Sequence, residues 1–268
     1  MRSGCEIRSG RPGMIHPSAI VHPDAVLGEG VEVGPWAFIA EHVKIGARTK
    51  IGPRVTIDGR TTIGEDNEIF TGAVVGSLTQ DRKADGGVSF LKIGDRNVIR
   101  EYATLNPGTL NGTETVVGND NLLMAYSHVA HDCIIHNGVT IANNGTLAGH
   151  VIVEDKAIIG GLSAVHQFVR IGKLSITGGC SKVVQDIPPF MMVDGHPAIA
   201  FGINSIGLDR AGFAAEDKSS IKKAFKLIFK SGLILKNVIK LIRQDIPSSP
   251  SIQTILSFLE NSERGICK

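Results

Sequence analysis

The chain has 268 residues, with 28 Lys and Arg against 26 Asp and Glu for a formal net charge of +2, and 5% aromatic residues beside 32 Gly. A balance this near neutral excludes the overall basic footprint of a nucleic-acid-binding protein, and the lack of any run of about 18 uncharged apolar residues excludes a membrane-spanning helix. Four cysteines, Cys5, Cys133, Cys180 and Cys267, make no CxxC and no metal-ligand spacing, the usage expected of a reducing, cytoplasmic compartment.

In chain order, residues 1–13 lack an apolar signal core and precede Met14-Ile15-His16-Pro17; they are expected to be a disordered leader. From Ile15 an aliphatic residue recurs at every sixth position, through Val21, Leu27, Val33 and Ile39 to Val75, again at Ile93, Ile99 and Leu105, and then from Val117 to Ile171. Thr177 is the one polar lapse before Val183, and a small residue such as Ala37, Ala73 or Ser127 commonly follows four places after the aliphatic one. Neither a helix nor an alternating strand has this period. It belongs to an all-β solenoid of short strands whose stacked coils bury one continuous core. Three hexads make one triangular coil, so residues three hexads apart should stack.

This solenoid is expected over residues 14–189, interrupted near 79–91 and 110–115 by polar stretches that should loop out. Insertions in a solenoid often shape its binding surface. Residues 190–207, rich in Gly and Pro, read as an irregular connector. Residues 208–268 read as a small α-helical domain: one helix from about Ala214 to Ser231-Gly232, another over residues 235–243 and a last one over 251–261. Its lysines, among them Lys218, Lys222, Lys223, Lys226 and Lys230, leave it basic, which suits an acidic protein partner.

The chemistry lies in the third block of hexads. His131, His150 and His166 fall on one side of consecutive coils, with His128 and Asp132 flanking the first and Gln167 two coils on from His131. A neutral imidazole near pH 7 suits proton abstraction from a hydroxyl, so His131, with its carboxylate neighbour, is the candidate general base. His131 and His136 are spaced like two ligands of the gamma-class carbonic anhydrases, but the third ligand position falls on Asp95. Zinc needs at least three well-placed ligands, so no metal is expected.

The runs His128-Val129-Ala130-His131-Asp132-Cys133, Leu147-Ala148-Gly149-His150, Ala164-Val165-His166-Gln167-Phe168 and Gln185-Asp186-Ile187-Pro188-Pro189 resemble the UDP-N-acetylglucosamine acyltransferases that open lipid A biosynthesis. The likeness covers essentially residues 14–268. It implies a left-handed parallel β-helix, an exception to the usual right-handed crossover, and a cytoplasmic homotrimer with active sites between subunits. It also implies transfer of a (R)-3-hydroxyacyl chain from acyl carrier protein to the sugar 3-position, with no cofactor beyond the carrier's phosphopantetheine. By the same resemblance His131 is the base, Asp132 orients it, and the Gly149 N–H faces the oxyanion. His128, His150, His166 and Gln167 match substrate-contacting positions. Asp81 and Lys83 match residues that hold the sugar nucleotide, and Asn204 and Arg210 residues that engage its nucleotide end. Gly179 matches the position limiting acyl length, where a Gly implies a longer chain. One departure is Ile206, where the family commonly has Glu. It implies, as an alternative, a sugar nucleotide acceptor carrying a 3-amino group. A non-catalytic hexapeptide scaffold would keep the repeats without needing the histidines.

Overall fold

The computed structural model describes residues 14–268, so the expected leader lies outside the described residues. From Ile20–Val21 to Lys182–Val183 the chain is a succession of short strands, most of two residues. Each pairs in parallel with the strand one coil away, Val21 opposite Ile39 and Ile39 opposite Ile57. Among the described residues this gives sheets of nine, eight and ten strands, the three faces of a left-handed β-helix. Face 1 starts at Ile20–Val21, face 2 at Val26–Leu27 and face 3 at Glu32–Val33. Edge 1 joins faces 1 and 2, edge 2 joins faces 2 and 3, and edge 3 returns the chain from face 3 to face 1.

A two-residue strand points one side chain in and one out, and the hexad's aliphatic residue is always the inward one. Ile39, Ile57, Val75, Leu105, Val129 and Leu147 are no more than 1% exposed, each contributing roughly 1.5–3 kcal/mol by burial. The corners need a left-handed residue, and the chain puts non-glycine residues there repeatedly, Trp36, Arg48, Tyr102, Tyr126 and Asp132 among them. That conformation costs about 1–2 kcal/mol for a side-chain-bearing residue, so the stacked core must offset it coil by coil. Thr177 is buried without being orphaned, since its Oγ1 accepts the Gly160 N–H at 2.7 Å.

Inside edge 2 a polar ladder replaces apolar packing. Thr49 Oγ1 accepts the Asn67 N–H, Asn67 Oδ1 the Asn97 N–H, Asn97 Oδ1 the Asn121 N–H and Asn121 Oδ1 the Val139 N–H, at 2.7–3.1 Å. Asn97 also donates to Gly118 O at 2.9 Å. We expect Asn97→Ala to cost about 3 kcal/mol in urea unfolding, because it strands the buried Asn121 N–H and Gly118 carbonyl. A midpoint unchanged from wild type would show that water replaces the amide.

Both insertions leave edge 1. The first spans residues 76–89 between Val74–Val75 and Phe90–Ile93, and the second residues 106–113 between Thr104–Leu105 and Glu114–Val117. Where they depart, the face 2 strands lengthen to four residues, Arg60–Ile63, Phe90–Ile93 and Glu114–Val117, paired side by side. The ladder of pairing thus continues beneath the loops.

The expected connector is a correction. Residues 191–203 form an antiparallel hairpin, Met191–Gly195 with Ala198–Ile203, whose first strand extends face 3 beside Ile176–Thr177. Its alternation, with Met191, Val193, Ala198 and Ala200 buried, has period two and so escapes a search for hexads. Four helices follow: α1 (Ser205–Arg210), α2 (Ala215–Lys230), α3 (Leu235–Asp245) and α4 (Pro250–Glu260). The last three match the expected ones closely, with α2 stopping before Gly232 at φ +72° and α4 capped by the Ser249 side chain. Arg170 fastens this domain to the β-helix: it pairs with Glu154 at 2.8 Å and lies over the Phe258 ring of α4.

Candidate active site

Edge 1 carries the histidines on consecutive corners. In each corner the second residue has positive φ: Asp132 at 58°, His150 at 61° and Phe168 at 65°. This sharp reversal turns adjacent side chains the same way, so His131 Nδ1 meets Asp132 Oδ2 at 2.8 Å. An ionised Asp132 fixes the proton on Nδ1 and leaves Nε2 as the free base.

Asp132 is held from every side. Its N–H donates to Thr115 Oγ1 at 2.7 Å, and Oδ2 accepts the Thr109 N–H at 3.1 Å. Burial pushes its carboxyl up, but hydrogen bonds from His131, the Thr113 hydroxyl and the Thr109 N–H outweigh it and hold the acid below its usual range. The carboxylate therefore stays charged at neutral pH.

The other face of the base belongs to the first insertion. Asp81 Oδ2 lies 3.4 Å from His131 Nε2, while its Oδ1 accepts the Lys83 N–H at 3.0 Å. Both expected loop residues therefore stand at edge 1, Asp81 against the base and Lys83 exposed. His150 meets the His131 ring edge-on at 5.2 Å, lies 3.8 Å from Asp132 and stacks on Phe168 at 4.6 Å. His128 sits on face 1 with Nδ1 2.7 Å from Thr104 Oγ1. Burial and then the neighbouring His131 push its pKa below the ordinary value, so it is a neutral hydrogen-bonding group.

Gly149 explains why His131 fits. A Cβ there would fall 2.3 Å from His131 Cε1 and 2.4 Å from Nε2, so only glycine leaves room for the ring one coil below. The neighbouring N–H groups of Ala148 and His150 join the inter-coil ladder. Among the described residues the Gly149 N–H makes no hydrogen bond. His166 and Gln167 share the next corner, exposed, with His166 Nδ1 3.1 Å from the Gln167 carbonyl.

Three expected residues lie elsewhere. Gly179 is on edge 3, exposed, with only the Gly161 carbonyl near its Cβ position at 3.4 Å. Within one chain it is not beside His131. Asn204 is 6% exposed and employed structurally: it accepts the Gly207 N–H as the α1 cap and donates to Leu174 O, both at 2.9 Å. Its side chain caps the helix that carries the exposed Arg210. Ile206 is also exposed on that helix.

His131, Asp132 and His150 bring donor atoms within 4.8 Å. Ligands about 2.0–2.1 Å from a tetrahedral ion must be roughly 3.3 Å apart, so the His131–Asp132 contact of 2.8 Å is a direct hydrogen bond rather than a bridged one. Asp95 and His136 are on edge 2, where Asp95 accepts the Glu65 N–H at 2.8 Å; they do not join His131. Sequence reasoning missed Thr109, Thr113, Thr115 and Phe168. Thr109 and Thr113 sit in the second insertion and Thr115 in the strand that follows it, so their meeting with Asp132 depends on that insertion's length, whereas Phe168 is a corner residue in plain 18-residue register with His150.

Two family descriptions match the chain: a six-repeat bacterial transferase hexapeptide over residues 114–149, and Udp N-acetylglucosamine O-acyltransferase, domain 2, over residues 186–267. The acyl-[acyl-carrier-protein]--UDP-N-acetylglucosamine O-acyltransferase of Janthinobacterium sp. is 47% identical over 260 residues, 95% of this chain and 99% of that one. The enzyme of the same name from Synechocystis sp. is 48% identical over 200 residues, 75% of this chain and 72% of its own. Among solved structures, the UDP-N-acetylglucosamine acyltransferase of Bacteroides fragilis superposes with TM-score 0.93 at 42% identity, covering 95% of this chain and 100% of that one. The LpxA structure from Acinetobacter baumannii gives TM-score 0.91 at 43% identity, covering 95% and 99%. At 47% identity to a relative over 95% of its own length, the chain belongs to the acyl-carrier-protein–UDP-N-acetylglucosamine O-acyltransferase family.

Proposed function

We infer that this chain transfers a (R)-3-hydroxyacyl group from acyl carrier protein to the 3-hydroxyl of UDP-N-acetylglucosamine, the first step of lipid A synthesis. The observation that carries the reading is His131 held between Asp132 on Nδ1 and the loop carboxylate of Asp81 at Nε2. Nε2 takes the hydroxyl proton as the sugar oxygen attacks the thioester carbonyl carbon. The tetrahedral oxyanion, faced by the Gly149 N–H, then collapses and breaks the carbon–sulfur bond. The departing phosphopantetheine thiolate recovers the proton from the imidazolium, leaving an ester and a free carrier thiol. Proton transfer by a placed imidazole contributes roughly 10²–10⁴-fold, and a backbone donor at the oxyanion roughly 10²–10³-fold.

Asp81 and Lys83 hold the sugar in this reading, with Asp81 passing from Nε2 to a substrate hydroxyl. His128, His150, His166 and Gln167 line the acyl and pantetheine path. Arg210 engages the phosphates, where a guanidinium can bond in a bidentate way. Lys222, Lys223, Lys226 and Lys230 are exposed on α2 and suit an acidic carrier protein. Among the described residues no helix is long and apolar enough to cross a membrane, in keeping with our reading of a cytoplasmic enzyme.

A homotrimer completes the site. His131 on edge 1 and Gly179 on edge 3 are apart in one chain, so a groove between two chains is the arrangement that lets both meet one acyl group. Edge 3 carries exposed Trp36, Tyr102, Tyr126 and Leu162, with the two tyrosines stacked at 5.2 Å, a surface suited to burial against a second copy.

The acceptor is tested by competition between UDP-N-acetylglucosamine and its 3-amino analogue, reading ester against amide linkage by lability to mild base. Preference for the hydroxyl sugar is the expected result. Preference for the amine would assign the exposed Ile206 to a different specificity and overturn the O-acyl reading.

A further inference from the structure

The two insertions are fastened to each other. Asn106, buried at the root of the second, donates to the Ser77 and Leu78 carbonyls of the first at 3.0 and 3.2 Å. Farther out, Asp85 Oδ2 accepts the Asn111 N–H at 3.4 Å, and Asn111 Oδ1 accepts the Val88 N–H at 3.0 Å. Between these ties sits Thr109, 7% exposed. Of the loop-to-loop contacts, its own is the one that also touches the catalytic pair.

Through its N–H, Thr109 binds Asp132 Oδ2 at 3.1 Å, the oxygen that also takes His131 Nδ1. Through its hydroxyl it lies 3.2 Å from Thr79 Oγ1, and Thr79 Oγ1 accepts the Asp81 N–H at 3.2 Å. Asp81 returns to the base at Nε2, 3.4 Å away. A closed circuit therefore runs from one nitrogen of the imidazole to the other: His131, Asp132, Thr109, Thr79, Asp81, His131. Thr109 is the member that bonds Asp132 on one side and the first insertion on the other.

We propose that Thr109 is a positioning residue that fixes the sugar-binding loop to the carboxylate of the His131–Asp132 pair, so that acceptor binding and base orientation share one reference point. The proposal rests on the reading above of His131 as base and Asp81 as a sugar ligand. Residues 82–88 of the first insertion are exposed, and nothing in the hexad core holds Asp81 in place. Its backbone is set by Thr79, and Thr79 by Thr109. The N–H to Asp132 survives any side-chain change, so removing the hydroxyl should loosen Asp81 while leaving the His131–Asp132 pair intact. The signature is weakened acceptor binding with little change in turnover.

The test compares Thr109→Val, Thr109→Ser, Thr79→Val and the double valine variant. KM for UDP-N-acetylglucosamine and kcat are read at saturating acyl carrier protein donor, with calorimetric binding of the sugar nucleotide and urea midpoints alongside. Thr109→Val should raise KM and the calorimetric Kd roughly tenfold, the effect of one lost and unreplaced hydrogen bond, with kcat within about threefold of wild type. Thr109→Ser should restore both, and the double variant should be no worse than either single, because both cut the same link. A Thr109→Val enzyme with wild-type KM and Kd, additive losses in the double variant, or losses that track the urea midpoint would overturn the proposal. Wild-type protein that fails to bind the sugar nucleotide at all would instead remove the functional reading beneath it.

Discussion

His131→Ala should lower kcat by about 10³-fold while leaving KM for the sugar nucleotide within a few-fold of wild type, in the range lost with a general base. The ring is mostly enclosed, with 12% of its side chain exposed, yet its contacts are chiefly polar partners that water can serve once it is gone. The unfolding midpoint should therefore move by no more than roughly 1 kcal/mol. His150→Ala is the control. That ring touches His131 edge-on and stacks on Phe168, but it lacks the 2.8 Å bond to Asp132, so its loss should fall mainly on substrate binding. If steady-state assays find the two variants equally impaired in kcat, the assignment of the base to His131 is wrong.

Gly149→Ala should also impair turnover strongly, for a single methyl group. Its φ is not in the left-handed region, so alanine meets no backbone penalty. The obstacle is the His131 ring, 2.3 Å from the new Cβ. The ring is the free end of a side chain and will move by about 1 Å or more. That is cheap for folding and costly for chemistry, where such a misplacement loses on the order of 10²-fold. We expect kcat to fall about 100-fold with a urea midpoint close to wild type. Combined with His131→Ala, Gly149→Ala should add much less than its own effect, since the ring it displaces is already absent. What loss remains would measure the backbone donor at the oxyanion. Full additivity in the double variant would show that Gly149 acts apart from the histidine.

The β-helix was legible because its period is local: Ile39 sits above Val21 and below Ile57 for the same reason that each is six or eighteen residues from the next aliphatic partner. The helices were legible for a similar reason, with Gly232 and Pro250 marking where turns must stop and start. The hairpin at residues 191–203 was not, because period two replaces period six just where the coil ends. At the site, the hexad register brought out His131, His150, His166 and Gln167 as one edge, and Gly149 came from the family resemblance. The dyad followed from adjacency, since a corner that reverses at Asp132 must turn neighbouring side chains together.

Register could not reveal Asp81 against Nε2 or Thr109 against Asp132. These contacts cross from one irregular loop to another, and insertions break the arithmetic that stacks hexads. The buried ladder of edge 2 shows the break directly, with spacings of 30 and 24 residues between its asparagines across the insertions and the regular 18 from Asn121 to Val139. Gly179 stands on edge 3 and the Asn204 side chain caps α1, so the motif runs alone do not bring either beside His131 within one chain.

The most direct measurement is transfer of a labelled sugar from UDP-N-acetylglucosamine into lipid-soluble product by the purified protein, with (R)-3-hydroxyacyl carrier protein as donor. The account predicts product with wild type, an ester at the sugar 3-position, and a rate reduced about 10³-fold in His131→Ala. Robust wild-type transfer that His131→Ala leaves undiminished would contradict the mechanism, and no transfer from any (R)-3-hydroxyacyl donor would contradict the function itself.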